Sequence, residues 1–307
     1  MRMSSWIRQH VAALRALLVL TVITGIIYPA VVLGISQLPG LKDKANGSLI
    51  EKDGKLVGSS LIGQAFTDGK GDALVQYFQT RPSNSAPTDG SIPDGYDPTN
   101  TAFGNMGPES VVDSLDASDP KKDKLSLLST VCSRSQAVGT LEGVDGSRPF
   151  CTSGGVGSVL AVFGPRDSHG QVPNPTKVVS VNEACATDGT TKPFQQAYKG
   201  VTVECAKRGE DYSAGQIVPI RGDAAVDTPV PSDAVTASAS GLDPQISPDY
   251  AAIQVARVAK ARNISQDQLK SLVDAHTSGR ALGFMGEKTV NVVELNYDLD
   301  SEYPFKG

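Results

Sequence analysis

The sequence predicts an α+β protein: one N-terminal transmembrane helix, then a mixed α/β extracytoplasmic domain carrying an inserted, disulfide-bonded lobe. Three observations lead there. Residues 16–35 read ALLVLTVITGIIYPAVVLGI, with no charge between Arg15 and Lys42. Beyond them, short apolar runs punctuated by Gly and Asp-Gly give way to a C-terminal stretch with helical spacing. All four cysteines, Cys132, Cys151, Cys185 and Cys205, fall past the apolar run.

A helix rising ~1.5 Å per residue needs roughly 20 apolar residues to cross a ~30 Å hydrocarbon core, and this run supplies them. A cleaved signal would have a shorter apolar region and a small-x-small site, which Ser36-Gln37-Leu38-Pro39 does not offer, so the helix is expected to stay as an anchor. Arg2, Arg8 and Arg15 precede it without an acidic residue, placing residues 1–15 in the cytoplasm and everything after the span (16–37) outside. Gly25 and Gly34, with Thr21 and Thr24, let a neighbouring helix approach closely in lipid. The Tyr28-Pro29 step frees a backbone carbonyl where a neighbour can pack. Gly25, Tyr28, Pro29 and Gly34 are therefore candidate subunit-interface residues.

The outer region divides into a first part (38–109), the inserted lobe (110–231) and a C-terminal part (232–307). In the first, Ser48-Leu49-Ile50, Lys55-Leu56-Val57 and Leu61-Ile62 flank Asp53-Gly54 and predict an antiparallel unit. Arg81 to Pro108, rich in Pro, Ser, Asn, Asp and Gly, predicts a loop. In the lobe, residues 159–163, 177–181 and 200–203 are strand candidates by their β-branched content. Outside the cytoplasm the cysteines are expected to form two disulfides, and three pairings remain open. No Cys-x-x-Cys or neighbouring His suggests zinc.

At the C-terminal end, Ser247 as N-cap and Pro248 at the first position start a helix with Ala252, Val255, Ala256 and Ala259 as its apolar stripe and Asn263 as its stop. Ser265 and Gln268 form a capping box for a second helix, with Leu269, Leu272 and Val273 inward and Gly279 and Gly283 ending it. Residues 289–296 alternate as a strand.

Several chemistries are disfavoured. A net charge of -5 without a basic block argues against nucleic acid, and so against reading the 248–276 helical pair as a DNA-binding helix-turn-helix. The run 153–158 lacks the lysine of a phosphate-binding loop. With His10, His169 and His276 the sole histidines and no Gly-x-Ser-x-Gly, a hydrolase triad has little support, so no catalytic residue is assigned. Residues 89–105 could offer oxygen ligands but match no EF-hand spacing, and no metal site is assigned. Asp243, before Pro244, reads as a turn residue leading to Ser247.

Residues 230–265 (VPSDAVTASASGLDPQISPDYAAIQVARVAKARNIS), 286–300 (GEKTVNVVELNYDLD), the GSLI and VGSSLIGQAF blocks and Tyr28-Pro29 together resemble the C subunit of the Kdp potassium-transporting ATPase. The resemblance covers roughly the first 85 and last 75 residues. The cysteine-bearing middle has no counterpart in the compact family pattern, and Gln245, Gln79-Thr80 and residues 101–105 depart from it. The resemblance marks Gln64, Arg81, Pro82, Ser238, Ser240, Gly241, Asp243, Arg257, Asn291 and Asn296 as family-motif residues. It implies a membrane-embedded accessory chain, not the motor. Its partners would be a channel-like potassium-binding subunit, a P-type ATPase subunit and a small hydrophobic subunit, with potassium as the transported ion and no cofactor of its own. It also implies an effect on the ATP affinity of the ATPase subunit, reached through the complex, because an outer domain cannot touch cytoplasmic ATP. The competing reading is a stand-alone, membrane-tethered extracytoplasmic binding or enzymatic domain.

Overall fold

The computed structural model describes residues 4–52, 54–85, 95–100, 109–184 and 192–306, which fall into two compact units, 1–61 and 62–307.

The first unit holds α1 (Ser5–Val22), a π-turn (Ile23–Ile27) and α2 (Tyr28–Ser36), which run on as a 32-residue apolar helix with no buried residue. By length and composition it can cross a membrane. The π-turn has a local cause. Pro29 has no N–H, and its ring collides with the carbonyl four residues back, that of Gly25, so the backbone widens there. Thr21 and Thr24 donate their hydroxyls to the carbonyls of Leu17 and Leu20, each at 2.8 Å, which keeps both polar groups satisfied within the helix. A one-turn α3 (Lys42–Ala45) leads to the antiparallel pair β1 (Leu49–Lys52) and β2 (Lys55–Ser59). This is the expected hairpin, with Gly54 at φ +72° in its turn, although Leu61 and Ile62 join no strand of it.

The second unit has two layered regions. The first begins with α4 (Leu127–Glu142), capped by Ser126 and stopped by left-handed Gly143. The helix was not anticipated, because its sequence SRSQAVGTLE is short of large apolar residues. The sheet follows: β3 (Val159–Phe163), β4 (Lys177–Ala184), β5 (Ala197–Tyr198), β6 (Val201–Ala206) and β7 (Gln216–Pro219), in the order β5-β6-β4-β3-β7, with β4 and β6 parallel and the other neighbours antiparallel. The three expected strands are present. Alternation places Val159 and Ala161 in one core and Leu160 and Val162 in another, so β3 is buried on both faces. Cys132 and Cys151 form a disulfide, with Cα atoms 5.5 Å apart, tying α4 to the turn before the sheet. Cys205 is also disulfide-bonded, and Cys185 lies outside the described residues.

The second region contains β8 (Gln245–Ile246), α5 (Pro248–Arg262), α6 (Gln266–Ala275), β9 (Thr277–Ser278), β10 (Thr289–Asn291) and α7 (Val292–Glu302), with strand order β8-β10-β9. The Ser247 cap, the left-handed Asn263 stop and the Ser265/Gln268 capping box are all present. Three expectations are corrected. The buried face of α5 is Tyr250, Ala251, Gln254, Val255, Val258, Ala259 and Arg262, leaving Ala252 and Ala256 exposed. Helix α6 ends at Ala275, well before Gly279. The segment expected as a strand through 296 is a strand to Asn291 and a helix from Val292. There the Asn291 side chain accepts from the N–H groups of Val293 and Glu294, and that cap overrides the β-branched residues that follow.

Candidate functional site

Five consecutive carbonyls, from Val75 to Gln79, each accept a hydrogen bond from a side chain. Arg257 Nη1 donates to Val75 (2.7 Å) and Tyr77 (2.9 Å), Arg262 Nε to Gln76 (2.9 Å), Asn296 Nδ2 to Phe78 (2.9 Å) and Gln254 Nε2 to Gln79 (3.1 Å). In return, Asn296 Oδ1 accepts from Phe78 N and Gln254 Oε1 from Gln79 N. The backbone groups of buried Phe78 must be paired, and where no strand lies alongside, two amides and two guanidiniums from α5 and α7 bond to it and to the partly exposed residues around it. Phe78 itself is fully buried in the core this segment covers.

Arg257 is the centre of that arrangement. Its Nε also donates to both oxygens of Glu142, at 2.9 and 3.1 Å, and Glu142 comes from the C-terminal end of α4, its side chain fully buried. Burial pushes the Glu142 carboxyl above its ordinary value, and Arg257 works against that shift. Arg262 is paired with Asp300 at 2.8 Å and lies over the ring of Tyr77, whose hydroxyl donates to Asp300. Gln254, Arg262 and Glu142 were not singled out from the sequence. The signal available was a polar side chain at 254 and another at 262, on the same face as Val255, Val258 and Ala259.

A second group joins residues 81–85 to the loop 236–243. Arg81 donates to the carbonyls of Thr236 and Ala237 at 3.2 to 3.4 Å and stands 3.8 Å from Asp243. Ser83 Oγ donates to Gly241 O, Gly241 N donates to Ser238 Oγ, and Ser240 Oγ donates to Asp243. Gly241 has φ +70°, and a Cβ there would sit 2.9 Å from Ser85 Cβ, so the close crossing of the two loops requires glycine. The Gln64 carbonyl accepts from Thr80, and Pro82 lines a cavity of about 590 Å³ with Arg81, Arg134 and Tyr250. Asn291 caps α7. Of the ten motif residues, eight thus engage the chain's own backbone or one another, the Gln64 carbonyl accepts from Thr80, and Pro82 lies against the cavity.

The four candidate residues of the membrane helix do not share one face. Tyr28 and Pro29 follow Gly25 by three and four positions, whereas Gly34 is roughly a third of a turn or more away from it. A Cβ at Gly25 or Gly34 would meet nothing within 4 Å, so both glycines leave open surface. Among the described residues no group of three or more His, Cys, Asp or Glu could hold a metal ion. Part of the 89–105 loop considered for oxygen ligands lies outside the described residues.

Fold and site together define a class: an α+β protein with one candidate spanning helix, whose conspicuous polar residues bond to its own backbone. The family profile described as "KdpC: K+-transporting ATPase, c chain" matches residues 10–124 and 162–301. Proteins described as potassium-transporting ATPase KdpC subunits align at 33% identity. They include those of Mycobacterium tuberculosis strain H37Rv (293 residues; 95% of this chain, 98% of the relative), Streptomyces avermitilis (295 residues; 94% and 91%) and Kineococcus radiotolerans (302 residues; 98% and 98%). The chain belongs to the KdpC family, the accessory c chain of the potassium-transporting ATPase, and is not the catalytic subunit. The family profile leaves out residues 125–161, the stretch with α4 and the Cys132–Cys151 bridge, while alignments with the actinobacterial relatives cover nearly the whole chain.

Proposed function

We propose that the chain assembles with and stabilises the other subunits of an ATP-driven potassium importer: a channel-like potassium-binding subunit, a P-type ATPase subunit and a small hydrophobic one. In this reading it is a single-pass membrane protein with its N-terminus cytoplasmic and its second unit outside. Arg8 and Arg15 on the N-terminal side of the span, together with disulfides beyond it, support that orientation. ATP then concerns the chain only through the complex. In this reading residues 110–231 form a lobe of the outer domain, within which residues 125–161 lie outside the stretches that the family profile matches.

The observation that carries the reading is the use of motif residues as internal ties, which suits a subunit that stabilises a complex. After mild detergent extraction from potassium-starved cells, the tagged chain should co-purify with a P-type ATPase subunit and a polytopic partner. Recovery as a free monomer alone would overturn the proposal. The Gly25/Tyr28/Pro29 side of the span is the helix-packing surface in this reading. Gly25→Leu should leave membrane insertion intact and abolish co-purification, and a variant that still assembles would reduce the span to a tether.

A further inference from the structure

The cavity of about 590 Å³ that Pro82 lines takes its wall from the 65–83 segment, Tyr96, one side of α4, Ala234 and Tyr250. Most polar side chains of that wall are already bonded. Tyr96 donates to the Arg81 carbonyl at 2.9 Å, Thr80 to that of Gln64 at 2.9 Å, and Ser83 to that of Gly241. Two groups stand apart. The Tyr250 hydroxyl has no hydrogen-bond partner among the described residues, although the residue is only 3% exposed. Arg134 donates to two neutral acceptors, the Val235 carbonyl at 3.2 Å and Asn84 Oδ1 at 3.4 Å, and forms no ion pair among the described residues.

A buried hydroxyl without a partner and a half-buried cation without an anion both cost stability, and one bound anion would relieve both. Burial pushes the Tyr250 hydroxyl above its ordinary value, so it stays protonated and is free to donate. The carboxylates around it are committed elsewhere. Glu142 is paired with Arg257, and Asp233 accepts from the N–H and hydroxyl of Ser247. Arg81 has Asp243 at 3.8 Å, and Asp72, the remaining carboxylate of the wall, is exposed to solvent, where water screens it.

We propose that this cavity binds a small organic carboxylate, whose oxygens accept from the Arg134 guanidinium and the Tyr250 hydroxyl and whose apolar body lies against Val138, Leu141 and Ala234. Charge selects the class. With Arg81 offset by Asp243, Arg134 is the one cation of the wall left over, which matches a monoanion and would leave a phosphate dianion half compensated. The aliphatic side chains beside the two donors give a hydrocarbon body something to cover, which an inorganic anion lacks. The size also fits, since sites for small molecules run to roughly 300–1,000 Å³. Arg134, Val138 and Leu141 belong to α4, in the stretch the family profile leaves out, whereas Arg81, Ala234 and Tyr250 belong to the matched stretches, so the site exists only where the two meet. The inference adds a ligand to the chain and does not depend on which subunits the chain joins.

The test titrates the full chain in detergent with butyrate and with benzoate, using butyramide as the neutral counterpart and inorganic phosphate as the bare oxyanion. At least one of the two carboxylates should raise the thermal unfolding midpoint to a plateau, while butyramide and phosphate leave it where it is. Arg134→Gln should weaken that binding about tenfold or more. Tyr250→Phe is the sharper variant. It should weaken binding by about tenfold as well, yet the unliganded chain should keep its midpoint, because the hydroxyl has no partner to lose. The inference is overturned if neither carboxylate gives a saturable shift, if phosphate or butyramide matches them, or if either variant binds as tightly as the unsubstituted chain. A lowered midpoint of unliganded Tyr250→Phe would overturn it too, by showing that the hydroxyl is already satisfied.

Discussion

Arg257 and Asn296 are motif residues whose burial makes them testable as ties. Arg257→Ala removes the partner of a fully buried carboxylate and two donors to the 75–79 segment, and breaking one side of a buried pair is expected to cost about 3–5 kcal/mol. The sign of its pH dependence follows. Burial already raises the Glu142 carboxyl, Arg257 is the group opposing that shift, and without it the folded value rises further. An acid with a raised folded value contributes stability that is present below the unfolded value, near the ordinary 4.5, and is lost as pH rises through the folded one. Urea unfolding of the full chain in detergent should therefore find the variant least handicapped near pH 4, with its deficit growing towards pH 7. Asn296→Ala strands both polar groups of buried Phe78 and should cost about 2–4 kcal/mol without that pH dependence. A loss below about 1 kcal/mol in that variant would mean that water replaces the amide.

At the scale of elements, α4 lies in the stretch that the family profile leaves out and is tied to the matched C-terminal region. Its Val131 and Val138 pack on the C-terminal core, its last residue pairs with Arg257, and Cys132 joins it to Cys151 across 19 positions. Closing a loop of that size removes unfolded-chain entropy equivalent to about 3 kcal/mol. Cys132→Ser with Cys151→Ser should lower the denaturation midpoint accordingly. Reduction of the wild-type chain should lower it at least as far, because Cys205 is bridged as well. The span is an element of another kind. The hydropathy that made it legible says nothing of the π-turn, which arises where Pro29 follows Gly25 by four.

For the whole molecule, what was legible in the sequence divides along physical lines. Hydrophobic length, caps, turn dipeptides and β-branched runs act over a few residues, so the span, the hairpin at 49–59, the starts of α5 and α6 and the three main strands could be read directly. Helix α4 and the true buried face of α5 could not. Their register is decided by partners far away in sequence: Gln254 and Arg262 turn inward because the 75–79 carbonyls need donors. The strand expected at 292–296 failed for a local reason, the Asn291 cap outweighing the β-branched pattern after it. The motif residues were recognisable as a set by resemblance, but only the fold reveals that eight of them bond to backbone or to each other.

The π-turn has a consequence for how the membrane helix meets its surroundings. A π-turn carries about one residue more than an α-turn, so the helix beyond it runs out of phase by roughly 100° with the helix before it. A stripe continued across Ile23–Ile27 is therefore displaced; Gly25 and Gly34, nine positions apart, would lie on opposite sides of an unbroken α-helix, and the π-turn changes that angle. A straight helix in lipid offers a neighbour one continuous seam, whereas this one offers two half-length seams facing different directions. A surface followed along the helix before the turn gives way to a different face beyond it.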